Sequence, residues 1–358
     1  MPKKIFFTPG PSELYFTVES HMKEALRKGI PSISHRGDQY KNIHAETLAQ
    51  LRNLLDVPED YEILFTSSAT ESWEHLIRNC VNNESFHLVN GAFGEKFWQA
   101  SGILGKNNLK HQSVDGSCVD VSEVSIPDST ELLALTLNES STGVSFPVST
   151  LEAIREKYPN PIIAVDGVSS VPIPAMDLNL IDALYFSVQK CFGLPAGLGV
   201  LIVSPKVLEK AGEIESATNV VGSYRSIPKM VSASRKHQTI ETPNVLAIYL
   251  LGQVINDMLT KGLDMIRRES KYKAAVIYQL VDDHPELSAF VKDPNNRSET
   301  VITIETKSPK RFITPLYDKG FVIGSGYGKY NNSQIRIANF PTHSKEQIEL
   351  LADTILAL

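Results

Sequence analysis

The sequence predicts an α/β protein: a larger domain built on a mainly parallel sheet, followed by a smaller α+β domain at the C-terminal end. Two observations carry this. From Tyr61 onward, short and continuously apolar runs alternate with helical patterns. Continuous runs, rather than alternating ones, mark strands buried on both faces, and their alternation with helices marks a parallel sheet covered on both sides. After about residue 245 the alternation stops, and long helices and separated strands replace it.

The strands expected in the first region are YEILFTS (61–67), FHLVNG (86–91), ELLALTLN (131–138), IIAVDG (162–167), ALYFSVQ (183–189) and GVLIVS (199–204). Helices are expected between several of them. ESWEHLIRNCVN (71–82) sets apolar residues at 73, 76, 77, 80 and 81, and GEKFWQASGILG (94–105) and STLEAIREKY (149–158) also read as helices. In the second region, 245–262 and 269–284 read as long helices, and 299–306, 321–324 and 334–339 as strands. An amphipathic helix over 344–358 closes the chain, with Ser344 and Gln347 spaced as a capping box.

The 358 residues suffice for about two domains of typical size. The composition, 42% hydrophobic and 21% charged, is that of an ordinary globular chain. A net charge of −6 without a basic run argues against a nucleic-acid partner. The three cysteines form no CxxC pair, so neither a disulfide framework nor a metal site is expected, and a reducing compartment, the cytoplasm, fits. The opening MPKKIFFTPGPSEL does not read as a secretory signal, and no apolar stretch approaches the ~20 residues that a membrane span needs.

Ligand sites in such sheets lie at the carboxyl ends of strands. Five strand ends stand out. TSSATES ends one strand and opens a helix, so its small residues and free N–H groups suit a phosphate, although Ser and Thr there also serve as plain helix caps. Asp166 follows an apolar strand, either as a turn residue or as a charge held against a cationic ring nitrogen. Lys190 follows Gln189 at a strand end, either as a solvated charge or as a nucleophilic amine. Phe93 can be core or a stacking platform, and Ser140 can hydrogen-bond a ring oxygen. Together these parts are what pyridoxal 5′-phosphate requires. The lysine joins its aldehyde, and the carboxylate keeps its ring nitrogen protonated so that the ring can withdraw electrons.

The chain resembles class V aminotransferases, of fold type I among the pyridoxal-phosphate enzymes. TPGPSEL (8–14), SSATE (67–71), NGAFGEKFW (90–98), NESSTG (138–143), VDGVSS (165–170), SVQK (187–190), ETP (241–243) and IRIA (335–338) match motifs of that family in family order. The resemblance implies a seven-stranded-type sheet in a cofactor-binding domain over 16–250. Residues 1–15 and 251–358 would form the small domain. It implies Lys190 as the cofactor lysine and Asp166 as the ring-nitrogen partner. Ala69, Thr70 and Gln189 would lie by the phosphate, Phe93 on the ring and Ser140 at the ring oxygen. Thr242 falls where a neighbouring subunit often reaches the phosphate, which implies a homodimer with shared sites. Arg336 matches the arginine that grips the substrate α-carboxylate, a task suited to its planar fork.

HRGDQY (35–40) resembles the His-Arg-Gly segment of the phosphoserine aminotransferase branch. His35 and Arg36 would there bind the substrate's phosphate or the distal carboxylate of glutamate. The implied reaction moves the amino group of glutamate to 3-phosphohydroxypyruvate, giving phosphoserine for serine biosynthesis. Two departures stand against that branch. The phosphate loop reads SSAT without an arginine, and Lys329-Tyr330 replace a His-Arg pair, so that Lys329 would supply one positive charge. NESSTG and GYGKYNNSQIRIA lie closer to the alanine/serine–glyoxylate branch, which is the alternative. A cysteine desulfurase would need a cysteine late in the chain, and none lies beyond 191. A non-catalytic binder would have little use for Lys190, Asp166 and Arg336 together.

Overall fold

The computed structural model describes residues 4–218 and 221–358. The first three residues of the expected 1–15 segment lie outside the described residues.

The large sheet has seven strands in the order Glu62–Thr66, Gly199–Val203, Ala183–Ser187, Ile162–Asp166, Leu132–Thr136, Glu84–Val89 and Asn107–Gln112. Gly199–Val203 runs antiparallel to both neighbours, and every other pairing is parallel. Successive residues of each central strand enter different layers. Ile163 and Val165 pack with Ile248 and Leu251, while Ile162 and Ala164 pack with Leu76, Ile77 and Val207. Burial on both faces is why these strands are apolar throughout.

The helices Ala69–Cys80, Ala92–Ile103, Ser149–Lys157 and Val245–Lys261 answer the expected ones within two residues, and Leu263–Asp283 begins six residues before the helix expected over 269–284. The closing helix, Lys345–Leu356, carries the complete capping box of Ser344 and Gln347. Sequence reading offered no element for helices Val18–Arg27 and Asp38–Leu55 or for strand Asn107–Gln112. That strand is the sheet's edge and mostly half-exposed, so NNLKHQ needs no apolar face.

The second sheet has the order Ile5–Phe7, Phe321–Ser325, Gln334–Ala338, Val301–Glu305 and Ser288–Ala289. Its N-terminal strand pairs in parallel with Phe321–Ser325. The chain therefore begins in the small sheet, crosses to the large one and returns. Residue 250 lies inside helix Val245–Lys261, whose Ile248, Leu251 and Val254 belong to the large core. No helix among the described residues is long and apolar enough to cross a membrane.

Candidate active site

A cavity of about 250 Å³ lies where the carboxyl ends of the large sheet meet the small sheet; Asp166, Lys190, Phe93, Ser140, Tyr327 and Arg336 are among its lining. Asp166 is the last residue of its strand and only 5% exposed. Its Oδ1 accepts the Val168 N–H at 2.9 Å. Burial nevertheless pushes its carboxyl up to about 7, with that hydrogen bond and nearby Lys190 opposing the rise. Lys190 follows strand Ala183–Ser187 and is 8% exposed. Burial lowers its pKa, while the Asp166 and Glu139 charges resist. Its Nζ lies 3.5 Å from the Ser140 hydroxyl and 5.2 Å from the Phe93 ring centroid.

Gly10 makes room for this lysine. A Cβ at Gly10, where φ is +142°, would fall 2.8 Å from Lys190 Cε. The N-terminal segment is bound across the site by Ser12 N–H to the Gln189 carbonyl and Tyr15 N–H to the Gly193 carbonyl.

The wall that carries Ala69 and Thr70 is built from the turn into helix Ala69–Cys80. Ser68 caps that helix by accepting the Glu71 N–H. Glu71 reaches back to the Ser67 N–H and hydroxyl, which fixes the turn. The Ala69 N–H is given to Ser187 Oγ at 2.7 Å, so that oxygen acts as acceptor and its own proton stays available. Thr70 lies in the first turn of this helix, where backbone N–H groups have no intrahelical acceptor. A side chain at Gly199 would strike this turn, since its Cβ would lie 2.5 Å from the Ser68 carbonyl carbon.

The opposite wall depends on Glu139, which is fully buried. It accepts hydrogen bonds from Phe93 N, Gly94 N, Ser141 N and the Ser141 hydroxyl, at 2.7–3.1 Å. A carboxylate is thus seated on the N-terminus of helix Ala92–Ile103, where the helix dipole favours it. It holds the turn that carries Phe93. Arg336 comes from strand Gln334–Ala338 of the small sheet. It donates from Nε to the Ser325 carbonyl (2.8 Å) and from Nη1 to the Ser140 carbonyl (2.9 Å), which orients the guanidinium and ties the small sheet to the turn that carries Ser140. Both Nη2 protons and one Nη1 proton are left over. The Tyr327 ring stacks obliquely on Phe93, with centroids 5.5 Å apart, and lies 5.4 Å from the Arg336 guanidinium.

The donors fit pyridoxal phosphate. A buried amine stands beside a hydroxyl and an aromatic face, a helix turn offers N–H groups, and a buried carboxyl needs a cation opposite it to stay ionised. The sequence model of the family described as aminotransferase class V matches residues 5–327. The chain belongs to the class V aminotransferases. A crystal structure of a phosphoserine aminotransferase from Cytophaga hutchinsonii is 43% identical, with a TM-score of 0.97 over 99% of this chain and 98% of its own. The phosphoserine aminotransferase of Rhodococcus opacus (strain B4) is 31% identical over 336 residues, 90% of this chain and 86% of its own length. That of Bacillus circulans subsp. alkalophilus, 22% identical with a TM-score of 0.83 over 99% and 98% of the two chains, shares the fold.

In this aminotransferase, eight of the sequence-predicted residues line one cavity: Ala69, Thr70, Phe93, Ser140, Asp166, Gln189, Lys190 and Arg336. Four do not. Lys329, expected beside the substrate, sits in the short turn Gly328–Tyr330 and is 2.5 Å from Asp115. That pairing raises its pKa and spends its charge outside the cavity. Arg36 donates to Gln238 Oε1 and the Thr239 carbonyl, next to Thr242. Thr242 itself lines a different cavity, formed with Glu71, His75 and His44. His35 is half-buried just before Arg36 and likewise outside the cofactor cavity. Sequence reading missed Ser187, Glu139 and Tyr327. All three were within quoted stretches, SVQK, NESSTG and GYGKYNNSQIRIA, but nothing local distinguished them from strand and turn residues. The thiols give a desulfurase no nucleophile. All three are pushed up by burial, Cys118 and Cys191 to about 12.

Proposed function

We propose that this class V aminotransferase moves the amino group of glutamate to 3-phosphohydroxypyruvate, giving phosphoserine. The observation that carries the reading is the 43% identity, across nearly the whole chain, to a phosphoserine aminotransferase. Pyridoxal phosphate, when bound, supplies the aldehyde for the amino group and a ring that withdraws electrons from the substrate α-carbon.

The chain's residues then have separable tasks. Lys190 would hold the cofactor covalently and, as a free amine, would move the proton at the substrate α-carbon. Its lowered pKa favours the neutral amine that a general base must be. Asp166 would pair with the cofactor's ring nitrogen, whose positive charge would offset the burial of the carboxylate. Arg336 binds the α-carboxylate with the protons that its two carbonyl partners leave over. Phe93 would bound the ring on one side.

We also propose a homodimer in which Thr242, His35 and Arg36 serve the neighbouring subunit's site. Their grouping away from their own chain's cavity supports this. The three unpaired cysteines support a cytoplasmic location.

The test is an assay of the reconstituted protein with glutamate and either 3-phosphohydroxypyruvate or glyoxylate. Phosphoserine formation is expected, with a borohydride-trapped cofactor adduct that is absent in Lys190→Ala. Amination of glyoxylate alone would replace the substrate assignment with the glyoxylate branch.

A further inference from the structure

We propose that Lys96 determines specificity by holding the distal anionic group of the substrate at the mouth of the cavity. This deepens the reading above and rests on it, since both of its substrates carry an anionic group at each end. Lys96 lies three residues after Phe93 on helix Ala92–Ile103, a spacing that puts the two on one helix face. Its Nζ donates to the Tyr327 hydroxyl at 2.7 Å and lies 5.4 Å from the Phe93 ring centroid and 5.3 Å from that of Tyr327. Both rings line the cavity. The Arg336 guanidinium is 5.4 Å from the same Tyr327 centroid. Two cations, Lys96 from helix Ala92–Ile103 and Arg336 from the small sheet, therefore lie 5.3 and 5.4 Å from the centroid of one cavity-lining ring.

The charge of Lys96 is uncompensated. The adjacent Glu95 is engaged by Lys110 at 2.6 Å, and among the described residues no carboxylate pairs with Lys96. Lys329, by contrast, is neutralised by Asp115. One of the three Lys96 N–H donors is used on a neutral phenol, and two remain. A compact ammonium on a flexible stem suits a site that must accept a carboxylate in one half-reaction and a phosphate in the other. The Tyr327 hydrogen bond aims the ammonium without consuming its charge.

The test compares Lys96→Met with wild-type holoenzyme. The expected result is a rise of about tenfold in KM for both glutamate and 3-phosphohydroxypyruvate, with kcat little changed, as loss of one charge-assisted hydrogen bond predicts. Inhibition by the dicarboxylate glutarate should weaken equally, and inhibition by the monocarboxylate pentanoate should not change. Lys96→Arg should recover part of the loss. Unchanged constants in Lys96→Met, or equal weakening of glutarate and pentanoate, would overturn the role of Lys96 while leaving the proposed reaction in place. A wild-type enzyme that aminates glyoxylate but not 3-phosphohydroxypyruvate would overturn both.

Discussion

Asp166 and Lys190 are charged groups taken almost completely out of water, and their pKa values move toward each other as a result. Burial raises the acid to about 7 and lowers the amine. For Asp166 the native value lies above the unfolded one. The native apoprotein therefore holds the proton more tightly, and the associated stability is complete below the unfolded value of 3.8 and lost as pH rises through about 7. In Asp166→Asn that loss is absent. Denaturant unfolding of the two apoproteins should show the variant gaining relative to wild type between pH 4 and pH 8, by up to about 4 kcal/mol. Parallel stability curves across that range would mean that Asp166 is not desolvated in the free protein. Cofactor binding should weaken in the same variant, since a neutral amide lacks the charge that favours a protonated ring nitrogen.

At the scale of elements, the site depends on how helix starts are seated against the sheet. Helix Ala92–Ile103 begins on the buried carboxylate of Glu139, and Gly91 is bare because a Cβ there would lie 2.6 Å from Glu139 Cγ. Glu139→Ala leaves the Phe93, Gly94 and Ser141 N–H groups without this acceptor. A destabilisation on the order of 3 kcal/mol is expected by denaturant titration, with Glu139→Gln losing less because one acceptor oxygen remains. Equal stability of Glu139→Ala and wild type would show that water or a rearranged turn replaces the carboxylate. Because the same turn carries Phe93, fluorescence or circular dichroism of the bound cofactor should change in both variants.

At the scale of the whole molecule, the proposed shared site makes a distinctive prediction. Arg36→Ala and Lys190→Ala homodimers should each be inactive with the phosphorylated substrate. Mixing and reassociating them creates hybrids in which one site has Lys190 from one subunit and Arg36 from the other. Random reassociation should restore about a quarter of the wild-type sites. No recovery, with hybrid formation confirmed by tagged subunits, would place Arg36 in service of its own chain or of none.

The fold class was legible because burial on both faces forces continuous apolar strands, and helix ends announce themselves in caps such as Ser344. The edge strand Asn107–Gln112 was not legible, since an exposed edge imposes no apolar pattern. Asp166, Lys190 and Arg336 could be picked out because charges at the ends of, or within, apolar runs need a reason to be there. Whether a cation lies in the cavity or beside it is a matter of distance between remote segments, and local sequence does not encode that distance. Lys329 looked apt and is paired with Asp115, 214 positions earlier in the chain, while Lys96, which sequence reading did not single out, meets Tyr327, 231 positions later. The sequence alone determined which chemistry the chain can perform, because that follows from residue types at strand ends; only the tertiary structure decided which charges remain unpaired near the cavity, because neutralisation depends on what folding brings within a few ångströms.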